Sequence, residues 1–312
     1  MISIFTIAPF SHQDESIPQW IKKDAKWWHE DKITDTEFIN SIKWLIEKKI
    51  IPLKYTISEN RTLQAPPPQL KEIAYFWSTG VIPDKDFVGT IRYLVKNGII
   101  DLNEESKLQM KQEIKNVSVF NDTKSVVIVP ILTSSAYSKL GFYDYYRGEC
   151  DKSCLTVKIR DDTPTYMDSM NGVKVLKSLG YQTITDLDID KNPTILKKYD
   201  KIILLHNEYV TQREFDAITQ HPHVIYLYPN SLYAKVSINY WNDTLTLIRG
   251  HGYPQATILN GFDWKFDNSQ FEYDRGCENW NFHQVDNGIM LSCYPDGRLD
   301  YDVSLLQVIK EF

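Results

Sequence analysis

The sequence predicts an α/β protein: a mainly parallel sheet flanked by helices, β-rich excursions near the C-terminus, and two small helical-hairpin repeats in front. Three observations carry this reading. Between Ser125 and Tyr233, short β-branched runs alternate with amphipathic stretches, which is the pattern of βαβ units. In the first hundred residues one segment recurs at a fixed offset, Trp28 to Trp77 (77 − 28 = 49). After Lys235 the helical pattern gives way to aromatic, turn-rich segments.

Composition narrows the class. At 312 residues the chain is long for one domain. With 42% hydrophobic and 13% aromatic residues it can build real cores, which excludes a disordered chain. The formal net charge is −6, with acids and bases interspersed and no basic block, so nucleic acid is not a partner. "MISIFTIAPFSHQ" is an apolar run ending in small or polar residues without a basic start; 1–16 reads as a signal-peptide remnant or a disordered segment. Of the three ways to pair four cysteines, Cys150–Cys154 with Cys277–Cys293 is preferred, and the other two stay open. "CDKSC" is too wide for CxxC redox chemistry, and no second close pair completes a zinc site. Sequons stand at Asn60, Asn116, Asn121 and Asn242. Together these features place the chain outside the cell, secreted or at the cell surface. No apolar run approaches the ~18 residues that span a bilayer.

The elements follow in order. Residues 17–53 and 65–102 form the two repeats: Trp27/Phe76, Trp28/Trp77, Asp35/Asp84, Phe38/Phe87, Ile42/Ile91 and Leu45/Leu94 superpose without a gap. Asp35 and Asp84 are read as caps, Phe–x3–Ile–x2–Leu as one helical face, and "KKII" or "NGII" as the stop. At this spacing Trp27 and Trp28 read as core, in preference to a platform for glycan or peptide. Residues 103–124 are a polar linker with one helix. "SVVIVPILT" is a strand; a helix ending at Gly180, the strand Gln182–Thr185 and the strand Lys201–Leu205 follow. Thr211–Ile218 is a helix opened by a Thr cap with Glu214 three residues on, "HVIYLYPNSLY" a strand and turn, and "KVSINYWNDTLTLIRG" a hairpin.

Candidate site residues cluster at turns. His206-Asn207-Glu208-Tyr209 follows a buried strand, at the carboxyl edge where open α/β sheets place their chemistry, and Asn230 follows the next strand. His206 and Glu208 are the catalytic candidates, Asn230 and His251 the binding ones. Glycines flank His251 and let a ligand approach the backbone. His221 and His223 read as surface residues. "DLDID" (186–190) lacks the Gly and distant Glu of a calcium loop and reads as a solvated strand end.

Two stretches carry resemblances. "IPQWIKKDAKWWHEDKITDTEFINSIKWLIEKKII" looks like a short module attached to many predicted exported archaeal proteins; the likeness implies an adaptor, with cell-surface association through the repeats. From Ser125 to Ser237 the element order resembles the class I glutamine-amidotransferase-like superfamily. The nearest likeness within it is the C-terminal domain of the N,N-dimethylformamidase large subunit. "VPILTSSAYSKLGFYDYY", "RDDTPTY", "HNEYVT" and "YPNSLY" are similar to its "TxxAYxxxGGxSxY", "RPxY", "HxEYxS" and "GxNSxY". In amidotransferases the turn after the third strand holds a nucleophilic Cys. Here that turn has no Cys, Ser or Thr before Thr211, which removes a Cys–His acyl-transfer mechanism. The dimethylformamidase likeness implies instead a mononuclear metal held by Glu208, Tyr137 and Tyr166. Arg160 is not next to Pro164, so Tyr143, Tyr145 or Tyr146 stands as a replacement for Tyr166. Hard oxygen donors suit one Fe or Zn ion, which activates water on an amide or related bond of a small-molecule or peptide substrate. His206 then orients water or substrate. The competing class is a non-catalytic extracellular binding or cell-surface protein on the same scaffold.

Overall fold

The computed structural model describes residues 4–6, 17–48, 50–51, 66–96, 98–102, 104–119, 124–160, 169–266, 268–271, 277, 280–295, 299 and 302–312. The chain divides into two compact units, Pro9–Val117 and the remainder. Among the described residues, no helix is long and apolar enough to cross a membrane.

The first described element is β1 (Ile4–Thr6), which pairs antiparallel with a strand near the C-terminus, Ile4 opposite His283. It forms an edge of the large sheet, and the rest of the expected signal remnant or disordered segment, 1–3 and 7–16, lies outside the described residues.

The helical unit contains α1 (Gln19–His29), α2 (Asp35–Glu47), α3 (Gln69–Ser78), α4 (Asp84–Lys96) and α5 (Glu104–Val117). In the first pair, Trp28 stacks on Phe38 at 4.2 Å and donates its indole N–H to Asp35 at 2.7 Å. In the second, Trp77 stacks on Phe87 at 3.9 Å and bonds Asp84 at 2.9 Å. Asp35 is thus no cap. Thr34 caps α2, with Glu37 completing a capping box, and Asp35 sits in the first turn to receive the buried indole. That bond lets an aromatic with a polar edge serve in the core. Trp28, Trp77, Phe38 and Phe87 share one apolar cluster with Ile42, Leu45, Ile91 and Leu94. Trp27 instead lies under the Lys23 ammonium, 4.3 Å from its centroid. The expected linker is largely α5.

In the second unit come β2 (Ser125–Val129), α6 (Ile131–Ala136), α7 (Phe142–Tyr146), β3 (Thr156–Lys158), α8 (Met170–Ser178), β4 (Gln182–Thr185) and α9 (Asp186–Lys191). After them follow β5 (Lys201–Leu204), β6 (Tyr209–Val210), α10 (Gln212–Thr219), β7 (Val224–Tyr226), β8 (Ala234–Asn239), β9 (Thr244–Arg249), β10 (Asn281–Val285), β11 (Gly288–Leu291) and α11 (Val303–Glu311). They form two mixed sheets, ordered β1-β10-β11-β7-β5-β2-β4 and β3-β9-β8-β6. In the larger, β4, β2, β5, β7 and β11 are all parallel, and Val127 lies opposite both Thr183 and Ile203. The central strands β2, β5 and β7 are rich in Val, Ile and Leu because they are buried throughout, whereas β4 at the edge is QTIT and half-buried. Numbered along the chain, these five strands run 2-1-3-4-5, so the winding reverses between β2 and β5. That crevice is where doubly wound sheets take ligands. The segment 277–293, expected as an excursion, returns through β10 and β11 to extend the main sheet, and both preferred disulfides are present.

Two smaller expectations fail on burial. "DLDID" is helix α9, capped by Thr185 with Asp188, and Asp186 and Asp190 are buried. His221 is buried as well, because the turn around Pro222 folds its ring onto the carbonyls of Tyr199 and His223.

Candidate functional site

Glu208 sits where the chain leaves β5 of the large sheet and enters β6 of the small one. The turn is held at each residue. Leu205 N–H donates to Asn207 Oδ1, His206 N–H to Ser169 Oγ at 3.1 Å, and Tyr209 N–H to Thr133 Oγ1. The Glu208 carbonyl accepts from both Tyr233 and Ala234. Thr211 then caps α10 with Glu214 in a reciprocal box, as the sequence indicated. Backbone tied this tightly fixes where the carboxylate points.

Around that carboxylate, which is fully buried, four candidates converge. Tyr137, just past α6 at the end of β2, donates its hydroxyl to Glu208 Oε2 at 2.9 Å. His206 Nε2 lies 3.4 Å from Oε2, and His251 Nδ1 3.8 Å from Oε1. Asn230 Nδ2 meets His206 Nε2 at 2.9 Å. Tyr166 lies outside the described residues. Of the alternatives the sequence offered, Tyr143 of α7 stands as a second phenol beside Glu208. The Tyr143 hydroxyl is 2.7 Å from that of Tyr137 and 3.3 Å from Glu208 Oε1.

Sequence reasoning missed Tyr228, which stacks on His206 with ring centroids 4.9 Å apart, and Tyr209, whose ring packs edge-on to Tyr137. Nineteen tyrosines gave no means of choosing between them. His251 takes a left-handed backbone (φ 53°) between Gly250 and Gly252. A Cβ on Gly250 would lie 2.9 Å from the Tyr233 carbonyl, so only glycine fits there. Left-handed backbone costs a non-glycine residue about 1–2 kcal/mol, and such residues gather at functional sites.

Electrostatically the site is an anion among phenols. Burial pushes the Glu208 carboxyl up, but the hydrogen bond from His206 and the charges of His251 and His206 outweigh it, leaving its pKa below the ordinary range. Burial first, and the Glu208 charge second, push the Tyr137 and Tyr143 phenols well above theirs. The hydroxyls therefore act as donors to an ionised carboxylate.

Could these groups hold a metal? Among the described residues, no group of three His, Cys, Asp or Glu side chains is arranged for one. The donors here are one carboxylate and two phenols, a hard oxygen set. Two ligands about 2.0 Å from one ion lie about 2.8 Å apart at a right angle and about 3.3 Å apart at a tetrahedral one. The Tyr137 hydroxyl, the Tyr143 hydroxyl and Glu208 Oε2 are separated by 2.7, 2.9 and 3.4 Å. Spacing and donor chemistry both fit a hard cation, whose charge would reverse the upward pressure on the phenols.

No protein-family model matches this chain, and no curated protein shows significant similarity to it. The two disulfides are compatible with an extracellular protein.

Proposed function

We propose that this is an exported hydrolase of an amide or related bond, working at Glu208 at the carboxyl edge of the large sheet. The observation that carries it is the meeting of Glu208, Tyr137 and Tyr143 at the winding reversal, within the reach of one hard ion. In this reading the sheet is an amidotransferase-like scaffold and Glu208 stands where those enzymes carry their nucleophile. The two helix pairs are then copies of one adaptor module. Tyr137, Tyr143 and Glu208 would hold an Fe or Zn ion, which when bound supplies Lewis acidity and lowers the pKa of water. The chain's own groups do the rest. His206 Nε2, between Glu208 Oε2 and the Asn230 amide, is placed to take and return a proton. Tyr228 keeps that ring planar to its own face, and the tyrosines exclude bulk water.

A second reading rests on the full burial of the carboxylate. A Glu208 that no substrate reaches would be the polar anchor of an extracellular binding protein. Glu208→Gln separates the two: it removes the charge and keeps the size. Assayed against a panel of N-alkyl amides and short peptides, the parent should turn over a substrate and the variant should not, with both melting alike. Equal activity in the two proteins would overturn the proposal.

A further inference from the structure

The hairpin β8–β9 ends in Tyr240-Trp241-Asn242-Asp243, all exposed, with Trp241 at 99%. Single exposed apolar residues are ordinary on protein surfaces, so the indole alone carries nothing. Its neighbour is the informative part: Asn242-Asp243-Thr244 is a sequon.

The tip is held as a rigid presentation of that asparagine. Trp241 N–H donates to Asn239 Oδ1 at 2.9 Å. From β3, the Lys158 ammonium donates to the Asn242 carbonyl at 2.5 Å and Ile159 N–H donates to the Asp243 carbonyl at 2.8 Å. Asp243 is left-handed (φ 50°), as a tight hairpin turn requires. The Thr244 hydroxyl donates to Asn242 Oδ1 at 2.7 Å. This engages the amide oxygen and leaves the Nδ2 edge to solvent.

Asn116 contrasts with it. It sits in the last turn of helix α5, its Oδ1 bonded to Gln112, on backbone that cannot open into a turn without melting the helix. Asn60 and Asn121 lie outside the described residues.

From this juxtaposition we infer that Asn242 is an N-glycosylation site, and that the first sugar ring covers the Trp241 indole. The donor is a lipid-phosphate-linked oligosaccharide. Asn242 Nδ2 forms a C–N bond to the anomeric carbon, the C–O bond to the phosphate breaks, the lipid phosphate leaves with the bonding pair, and Nδ2 gives up one proton. The C–H face of a pyranose then meets the electron-rich indole face, covering an aromatic that the fold itself leaves in water. This is independent of the chemistry at Glu208 and depends only on export.

The test is the full chain secreted from a glycosylating eukaryotic cell, with sites mapped by amidase release, which converts an occupied Asn to Asp. Asn242 should be occupied in most molecules and Asn116 in few. Asn242→Gln and Thr244→Ala should each remove one glycan. Acrylamide quenching of tryptophan fluorescence should rise on amidase treatment of the parent and stay level in Trp241→Phe. A secreted protein bare at Asn242, whether or not other sequons are filled, overturns the site. Quenching that ignores the glycan in the parent overturns the covering of Trp241.

Discussion

Burying carboxylates without counter-charges should leave a signature in the pH dependence of stability, and Asp186→Asn is the substitution that exposes it. Asp186, Asp190 and Glu214 are buried side by side. Burial, offset in part by N–H donors from Leu132 and Leu187, raises the Asp186 pKa to about 8. Burial and the charge of Asp186 raise that of Glu214 well above its ordinary value. A raised carboxyl pKa means that the unfolded chain ionises first. The contribution of Asp186 to stability is therefore greatest below its unfolded pKa of 3.8, falls as pH climbs towards 8, and is flat above. About four units at about 1.4 kcal/mol each amount to about 6 kcal/mol lost across that window. Asparagine removes the titration at a cost. Asp186 accepts Leu132 N–H on Oδ2 and Leu187 N–H on Oδ1, both at 2.8 Å, and an amide can satisfy only one. The orphaned donor costs about 2 kcal/mol. The variant should thus be less stable than the parent at pH 4.5 and more stable at pH 9, the curves crossing where about 1.4 × (pH − 3.8) reaches 2, near pH 5 to 6. Urea unfolding followed by circular dichroism across pH 4 to 9 measures it. Parallel curves, or a variant less stable throughout, would refute the reasoning.

Other consequences are read more simply. Asp35→Ala strands the buried Trp28 N–H and should lower helical-unit stability by about 1–3 kcal/mol, whereas Asp35→Asn, which keeps an acceptor, should lose under half of that in the same melt. Four thiols should be undetectable in the native protein by alkylation and intact mass. Opening Cys277–Cys293, 16 residues apart, should cost about 3 kcal/mol, against about 2 for Cys150–Cys154, 4 apart. His206→Ala should slow turnover about 10²-fold, the size of a proton-transfer contribution; an unchanged rate would assign His206 to packing.

What could be read from the sequence was what short-range pattern determines. The strands at Gln182–Thr185 and Lys201–Leu204, the Thr211–Glu214 box and the β8–β9 hairpin each carry their own signal within ten residues. Glu208 was singled out because strand ends concentrate chemistry, and Tyr137 through the resemblance of its loop. Burial was not legible. "DLDID" is as polar as any loop, and the packing of α9 against α6 and α10 takes Asp186 out of water. Tyr143 could not be preferred over three other tyrosines, because the choice depends on how α7 lies against β6. The second sheet escaped for a similar reason: β6 is two residues long and exists only through its pairing with β8. Long-range pairings of this kind leave no local trace.

The account stands most directly on elemental analysis of the full chain after incubation with ferrous or zinc salts and desalting, in the parent, Tyr143→Phe and Tyr166→Phe. The parent should carry about one metal per chain, because one cluster of three oxygens fits one hard ion. Tyr143→Phe should lose it and Tyr166→Phe should keep it. A parent free of metal, or a Tyr143→Phe protein as fully loaded as the parent, would contradict the assignment of Glu208, Tyr137 and Tyr143 as its ligands.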